Sequence, residues 1–333
     1  MPERRQAIAV RAAGALPAVL AKAIARREGA PLEPDLQVLL RVIARLRWPA
    51  LESMPVLAAQ RESRRESTVL AGRRVPAAVR TLAIPSGSGT LAARLYVPPG
   101  AARHGALLVW LHGGGWVLGD LESHDPLCRR LARDAGVRVL AVDYRVAPAA
   151  RFPAAVDDSL AAVGWALAHA REIGADPARV GVGGDSAGGN LAAVAALALR
   201  EALAFQVLLY PITDVSREHP SYEDFADGPW LTAALMRWFR ALYVPDEQAA
   251  ADPRASPLRA SDPAGAPPAY VGLAGIDPLL DEGRAYARLL AAAGVPVRLQ
   301  QFPRQLHGYA ELAGVSRSAR AATAAATAWI SHQ

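Results

Sequence analysis

At 333 residues, 52% hydrophobic and 20% charged, the chain is long enough for one large α/β domain with a cap and too apolar to be disordered. Its single cysteine, Cys128, excludes an intrachain disulfide and a cysteine-based metal site, and makes the cytoplasm the expected location. The net charge of +6 comes from scattered arginines, with Lys22 the sole lysine, so neither nucleic acid nor an acidic membrane surface is an expected partner.

Residues up to about 49 read as two helical stretches separated by Gly29-Ala30-Pro31-Leu32-Glu33-Pro34, with Leu36, Leu39, Leu40, Ile43 and Leu46 at helical spacing in the second. Arg11, Pro17, Lys22 and Arg26 interrupt the apolar positions of the first, so no signal-peptide core is expected. Nowhere does the chain reach the roughly 18 consecutive apolar residues of a membrane span, and no stable membrane insertion is expected. The basic run 61–74 contains Ser63, Glu62 and Glu66 and reads as a solvated connector. Two β-type segments, 75–84 and 90–98, flank Ser86-Gly87-Ser88-Gly89 and predict an antiparallel pair at the edge of a sheet.

From there the pattern alternates. Strands are expected at 106–111, 137–144, 179–185, 205–210, 269–274 and 297–302, and helices at 125–135, 153–173, after Ser186, 282–293 and 316–331. Continuous apolar strands alternating with helices imply a mostly parallel sheet covered on both faces, and ligands bind such sheets beyond the carboxyl ends of the strands. A helical, aromatic segment at about 214–244 interrupts the series. The expected domain plan is an arm over 1–65 contributing to a cap, then a catalytic domain over 66–333 with a helical cap insertion at about 212–250.

Two strand ends carry the chemistry. At one, Gly184-Asp185-Ser186-Ala187-Gly188 is a G-x-S-x-G turn that holds a serine hydroxyl above the sheet, with the Ala187 amide aimed at whatever the hydroxyl attacks. At the other, His112-Gly113-Gly114-Gly115-Trp116 follows the strand at 106–111. Three successive glycines cost backbone entropy, and a loop meant to cradle an anion with bare amides has a use for them.

A serine needs a base, and the base needs an acid to set its tautomer. Of the seven histidines, His307 lies in the loop after the last predicted strand and is the candidate base. His112 opens the glycine loop and reads as a residue that holds it, while His124, His169 and His219 fall in helical or cap contexts. For the acid, Asp277 follows the strand at 269–274 directly. Its Asp-Pro sequence also suits a helix start, and Asp281 and Glu282 fit the first turn of that helix, where carboxylates complement the dipole.

Taken together, His112-Gly113-Gly114-Gly115-Trp116, Asp143-Tyr144-Arg145-Val146-Ala147-Pro148, Phe152-Pro153-Ala154-Ala155-Val156-Asp157-Asp158, Gly184-Asp185-Ser186-Ala187-Gly188-Gly189-Asn190, Asp277-Pro278-Leu279-Leu280-Asp281-Glu282 and His307-Gly308 resemble the bacterial hormone-sensitive-lipase-like esterases. The match runs in the right order over about 65–333. It implies an α/β-hydrolase fold with a helical cap, no cofactor or metal, and hydrolysis of small-molecule carboxylic esters with short or medium acyl groups. Carried over by motif, Ser186 is the nucleophile, His307 the base and Asp277 the acid, with the amides of Gly113, Gly114 and Ala187 as the oxyanion hole. Trp116, Phe225, Trp230 and Leu231 are the expected substrate-binding wall, and Trp238 and Phe239 add to the aromatic density of the cap.

The resemblance leaves two other activities in view, an amidase or deacetylase of small acylated compounds and a non-catalytic ligand-binding module. Receptors in this family lack the histidine that His307 supplies here. The arm up to about Pro31 has no counterpart in the family, and a homodimer is left open.

Overall fold

The computed structural model describes residues 32–46 and 48–333. The first expected helical stretch, with most of the arm that precedes the second, lies outside them. In chain order the helices are α1 (Pro34–Leu46), α2 (Val56–Leu70), α3 (Asp125–Ala135), α4 (Ala154–His169), α5 (Ala187–Ala198), α6 (Pro220–Asp224), α7 (Ala233–Tyr243), α8 (Glu247–Ala251), α9 (Leu280–Ala292) and α10 (Arg317–Ile330). The strands are β1 (Ala78–Ser86), β2 (Gly89–Val97), β3 (Gly105–Leu111), β4 (Arg138–Val142), β5 (Ala175–Asp185), β6 (Phe205–Leu209), β7 (Ala269–Ile276) and β8 (Val297–Leu306).

All eight strands form one sheet in the order β1-β2-β4-β3-β5-β6-β7-β8, with β1, β2 and β4 joined antiparallel and every other pair parallel. The glycine-serine turn closes the expected hairpin, since Ser86 pairs with Gly89. Mostly exposed, β1 forms one edge, and Pro85 weakens it as a template for a further strand. β4, β6 and β7 are buried at every position and β3 at all but its first, because helices cover both faces of the sheet.

This sheet determines where α5 lies. Residues 187–196 of that helix are all buried, and its alanine and leucine content leaves no polar face, as befits a helix packed on all sides. Its amino end stops at the carboxyl edge of β5, beside the carboxyl ends of β3, β7 and β8. The pieces of chemistry read from separate stretches of sequence therefore converge on one edge.

Over that edge lie α1, α2 and α7. α1 is tied down by Asp35, which accepts from the Ser316 hydroxyl (2.8 Å), the Ser318 amide (3.0 Å) and the Ser318 hydroxyl (2.7 Å) at the start of α10. These bonds outweigh burial and hold the Asp35 carboxyl below its usual range. α2 corrects the expectation for 61–74, because residues 61–70 are helical and not a connector. The run alternates charge with small residues, so one helical face meets solvent while Ser63, Glu66, Ser67 and Leu70 turn inward. Among the described residues, no helix is long and apolar enough to cross a membrane.

Candidate active site

Ser186 sits at φ 54° and ψ −117°, a conformation that a residue with a side chain rarely adopts. Its neighbours hold it there. The Ser186 amide donates to Leu209 O at 2.9 Å, and its carbonyl accepts from the amides of Asn190 (3.0 Å) and Ile212 (3.2 Å). A methyl group at Gly188 would stand 1.9 Å from Leu111 O, so only glycine lets α5 approach β3 closely enough to make this turn.

The Ser186 hydroxyl lies 3.0 Å from His307 Nε2, and His307 Nδ1 lies 2.8 Å from Asp277 Oδ2. With Nδ1–H donating to the carboxylate, Nε2 is the lone-pair nitrogen and accepts from the serine, which is the tautomer that deprotonation requires. The edge of Tyr210 packs on the imidazole at 4.7 Å between centroids and limits its rotation. The second oxygen of Asp277 accepts from the Leu279 amide at 2.9 Å and steadies the turn into α9, but Asp277 does not cap that helix, which starts at Leu280 with Leu279 in the capping position. Asp281 serves elsewhere, accepting from the Ser221 amide at 3.1 Å.

Glu282 lies in the first turn of α9 as expected, and packing gives it a second role there. It is fully buried and accepts from the amides of Thr213 (2.6 Å) and Asp214 (3.2 Å), where the chain has left β6. Burial pushes its carboxyl well above the usual range despite those bonds.

The glycine loop requires another correction. Gly113 is not open to a ligand, since its amide donates to Asp185 Oδ1 at 3.2 Å. The amides of Gly114, Gly115 and Ala187 meet no acceptor among the described residues, and Gly114 and Gly115 line the cavity with Ser186. A Cβ on Gly115, at φ 60°, would fall 2.1 Å from the Phe239 ring, so α7 closes directly upon bare backbone. His112 holds the loop as expected. It stacks on Tyr144 at 4.1 Å, and the Tyr144 hydroxyl donates to its carbonyl at 2.7 Å. Burial, followed by its neighbour His124, pushes the His112 imidazole down to about 4, so it is neutral.

His124 was missed in the sequence, where it read as an ordinary helix-end residue. The Ser123 hydroxyl donates to Asp120 O at 2.9 Å and must therefore accept from His124 Nδ1, 3.0 Å away. His124 Nε2 lies 3.3 Å from Asp185 Oδ2 and 3.2 Å from the Gly113 amide, so it either donates to the carboxylate or accepts from that amide. The surrounding carboxylates decide for the first, with both nitrogens donating and His124 an imidazolium. Burial opposes that charge, but Asp185, Glu311 and Asp120 outweigh it and lift the group to about 9. Asp185 thus links the nucleophile turn, the glycine loop and α3.

The cavity above Ser186 measures about 350 Å³. Thr232, Leu235 and Phe239 face it from the first turn to the middle of α7, at helical spacing, and Thr232 also caps that helix by accepting from the Leu235 amide at 3.0 Å. Trp230 and Leu231 line it as expected, joined by Leu40 and Ile43 of α1. Trp116 and Phe225 do not. Trp116 turns back at φ 60°, is fully buried and stacks on Tyr243 at 4.3 Å, while Phe225 is buried at the end of α6. Aromatic density reports burial, and these two are buried away from the cavity.

Residues 108–311 match the family described as the alpha/beta hydrolase fold. Among similar proteins, a carboxylic ester hydrolase of Mycobacterium tuberculosis, LipN, is 42% identical over 297 residues, covering 86% of this chain and 78% of that one. The ethyl acetate hydrolase of Pseudomonas putida is 41% identical over 302 residues, covering 86% of this chain and 95% of its own. A hyperthermophilic esterase from Pyrobaculum calidifontis superposes with a TM-score of 0.86 at 36% identity, over 91% of this chain and 99% of that one. With the serine turn, the glycine loop and the histidine gathered at one sheet edge, the chain belongs to the α/β-hydrolase fold family, among its hormone-sensitive-lipase-like esterases.

Proposed function

We propose that this protein is a carboxylesterase that hydrolyses short-to-medium acyl esters through a serine acyl-enzyme. The observation that carries the reading is the unbroken hydrogen-bond chain from Ser186 through His307 to Asp277 at the floor of a cavity. The Ser186 oxygen attacks the ester carbonyl as its proton passes to His307 Nε2. The resulting oxyanion is received by the amides of Gly114, Gly115 and Ala187. The carbon–oxygen bond to the alcohol then breaks, the alcohol leaves with the proton from His307, and water repeats the sequence to release the acid. Asp277 stays ionised throughout and holds the tautomer.

The arm over 1–65 contributes to a cap with the insertion at about 212–250 in this reading, which the shared cavity face of α1 and α7 supports. A cytoplasmic location belongs to the same proposal, and whether the protein forms a homodimer is left open. Gel filtration with light scattering decides the oligomeric state.

An apolar pocket gains about 0.8 kcal/mol per buried methylene until it is full, after which longer chains clash. Turnover of p-nitrophenyl esters should therefore peak at roughly two to eight acyl carbons and fall steeply beyond about twelve. A preference for sixteen-carbon or insoluble esters would make the cap an interfacial lid. Faster cleavage of a matched anilide would make the enzyme an amidase, and no turnover of any ester would leave a binding module.

A further inference from the structure

The chain carries a net charge of +6, yet its cavity has the opposite character. Glu52, Glu66 and Glu311 line it, and no lysine or arginine does so among the described residues. Glu66 projects from α2 and Glu311 follows His307 by one helical turn's length of chain, so two distant stretches each bring a carboxylate to an otherwise largely apolar wall. A second feature of that wall is aromatic. Trp48 and Trp230 both line the cavity with ring centroids 6.4 Å apart and planes tilted by 54°, which presents two π surfaces at an angle.

Both Glu66 and Glu311 are costly to ionise where they stand. Burial, then Glu62 and Glu311, push the Glu66 carboxyl up to about 7. Burial and Asp185 push Glu311 up to about 7 as well, although His124 and His307 pull it the other way. A cation entering the cavity relieves this repulsion and meets the negative faces of the two rings, whereas an anion is repelled by both. A neutral alkyl group gains only burial.

We propose that the cavity selects esters bearing an ammonium group, seated between the Trp48 and Trp230 rings and the carboxylates of Glu66 and Glu311. This proposal rests on the esterase reading. It concerns which ester is preferred and leaves the chemical steps unchanged.

Isosteric substrates isolate charge from shape. Choline butyrate and 3,3-dimethylbutyl butyrate differ in a nitrogen for a carbon in the alcohol part, and ethyl 4-(trimethylammonio)butyrate and ethyl 5,5-dimethylhexanoate differ likewise in the acyl part. Measured at pH 8, where both carboxylates are ionised, kcat/KM for the charged member of at least one pair should exceed its neutral isostere by about tenfold. Glu66→Gln and Glu311→Gln should each lower that ratio about threefold, and the double variant should bring it close to one. Because each ratio is taken within one variant, general loss of activity cancels. If Glu311→Gln fails to fold, Glu66→Gln, at a half-buried site on α2, carries the test alone. Ratios at or below one for both pairs in the wild type, or a ratio that Glu66→Gln leaves unchanged, would overturn the proposal. Failure to hydrolyse even the neutral esters would instead overturn the esterase reading, and this proposal with it.

Discussion

The two ends of the cavity are built differently. At the floor, Ser186, Asp277 and His307 are buried, and each is held by named hydrogen bonds of 2.8–3.0 Å to its neighbours in the triad. At the walls, Leu40, Ile43, Trp230 and Glu66 are only partly buried, and most of them meet the cavity through side chains that pack and do not lock. The difference follows from what each end must do. Bond-making chemistry tolerates errors of a fraction of an ångström, while selection of a substrate depends on volume and charge averaged over many contacts. Damage to the floor should therefore remove activity, and damage to the walls should redirect it.

The largest effect tests the floor. Ser186→Ala should lower kcat by about 10⁴ to 10⁶ with the fold intact by circular dichroism, because the triad acts as a unit. Activity within tenfold of wild type would break the comparison at its root. Next comes the acid. Asp277→Asn offers His307 the wrong partner and should cost on the order of 10⁴ in kcat, whereas Asp281→Asn, whose carboxylate serves Ser221, should cost less than about tenfold. The reverse ranking would move the acid to Asp281.

Beneath the floor, His124→Ala removes the cation that faces buried Asp185. Breaking such a buried pair costs about 3–5 kcal/mol, so thermal unfolding should begin roughly 10 °C lower. His124 also marks a pH window for stability. Its folded-state value of about 9 lies above the ordinary 6.5, so its contribution is complete below 6.5 and is lost as pH rises through 9. Denaturant titrations at pH 6 and 9.5 should show that loss in the wild type and not in the variant.

The walls give smaller numbers. Trp230→Ala should shift the preferred acyl chain by about two to four carbons towards longer esters, with peak kcat/KM within about tenfold of wild type. Glu66→Gln should give the smallest change. Its folded-state value of about 7 exceeds the ordinary 4.5, so the wild-type carboxyl favours folding fully below 4.5 and progressively loses that advantage up to about 7. The variant lacks this slope, and its melting temperature should rise by about 1–2 °C relative to wild type at pH 8 and not at pH 4.

Sequence alone determined the parts of this protein whose information is local. A buried parallel strand must be a continuous apolar run, a serine turn against a neighbouring strand must have glycine at 184 and 188, and a helix packed on all sides must lack a polar face, so β3, β5 and α5 were legible. The order of serine, aspartate and histidine along alternating strands placed Ser186, Asp277 and His307 at one sheet edge, where the structure joins them by hydrogen bonds. Tertiary structure decided what depends on direction. Gly113 and Gly114 are alike as letters, and only the position of Asp185 shows that the first amide is already taken. His124 and Glu282 read as ordinary helix-end residues until packing buried them against Asp185 and the Thr213 amide. Trp116 and Trp230 are equally aromatic, and the fold turned one onto Tyr243 and the other into the cavity. The charge of the cavity was hidden for the same reason, since Glu66 and Glu311 stand far apart in the chain and meet only where α2 folds over the loop that carries His307.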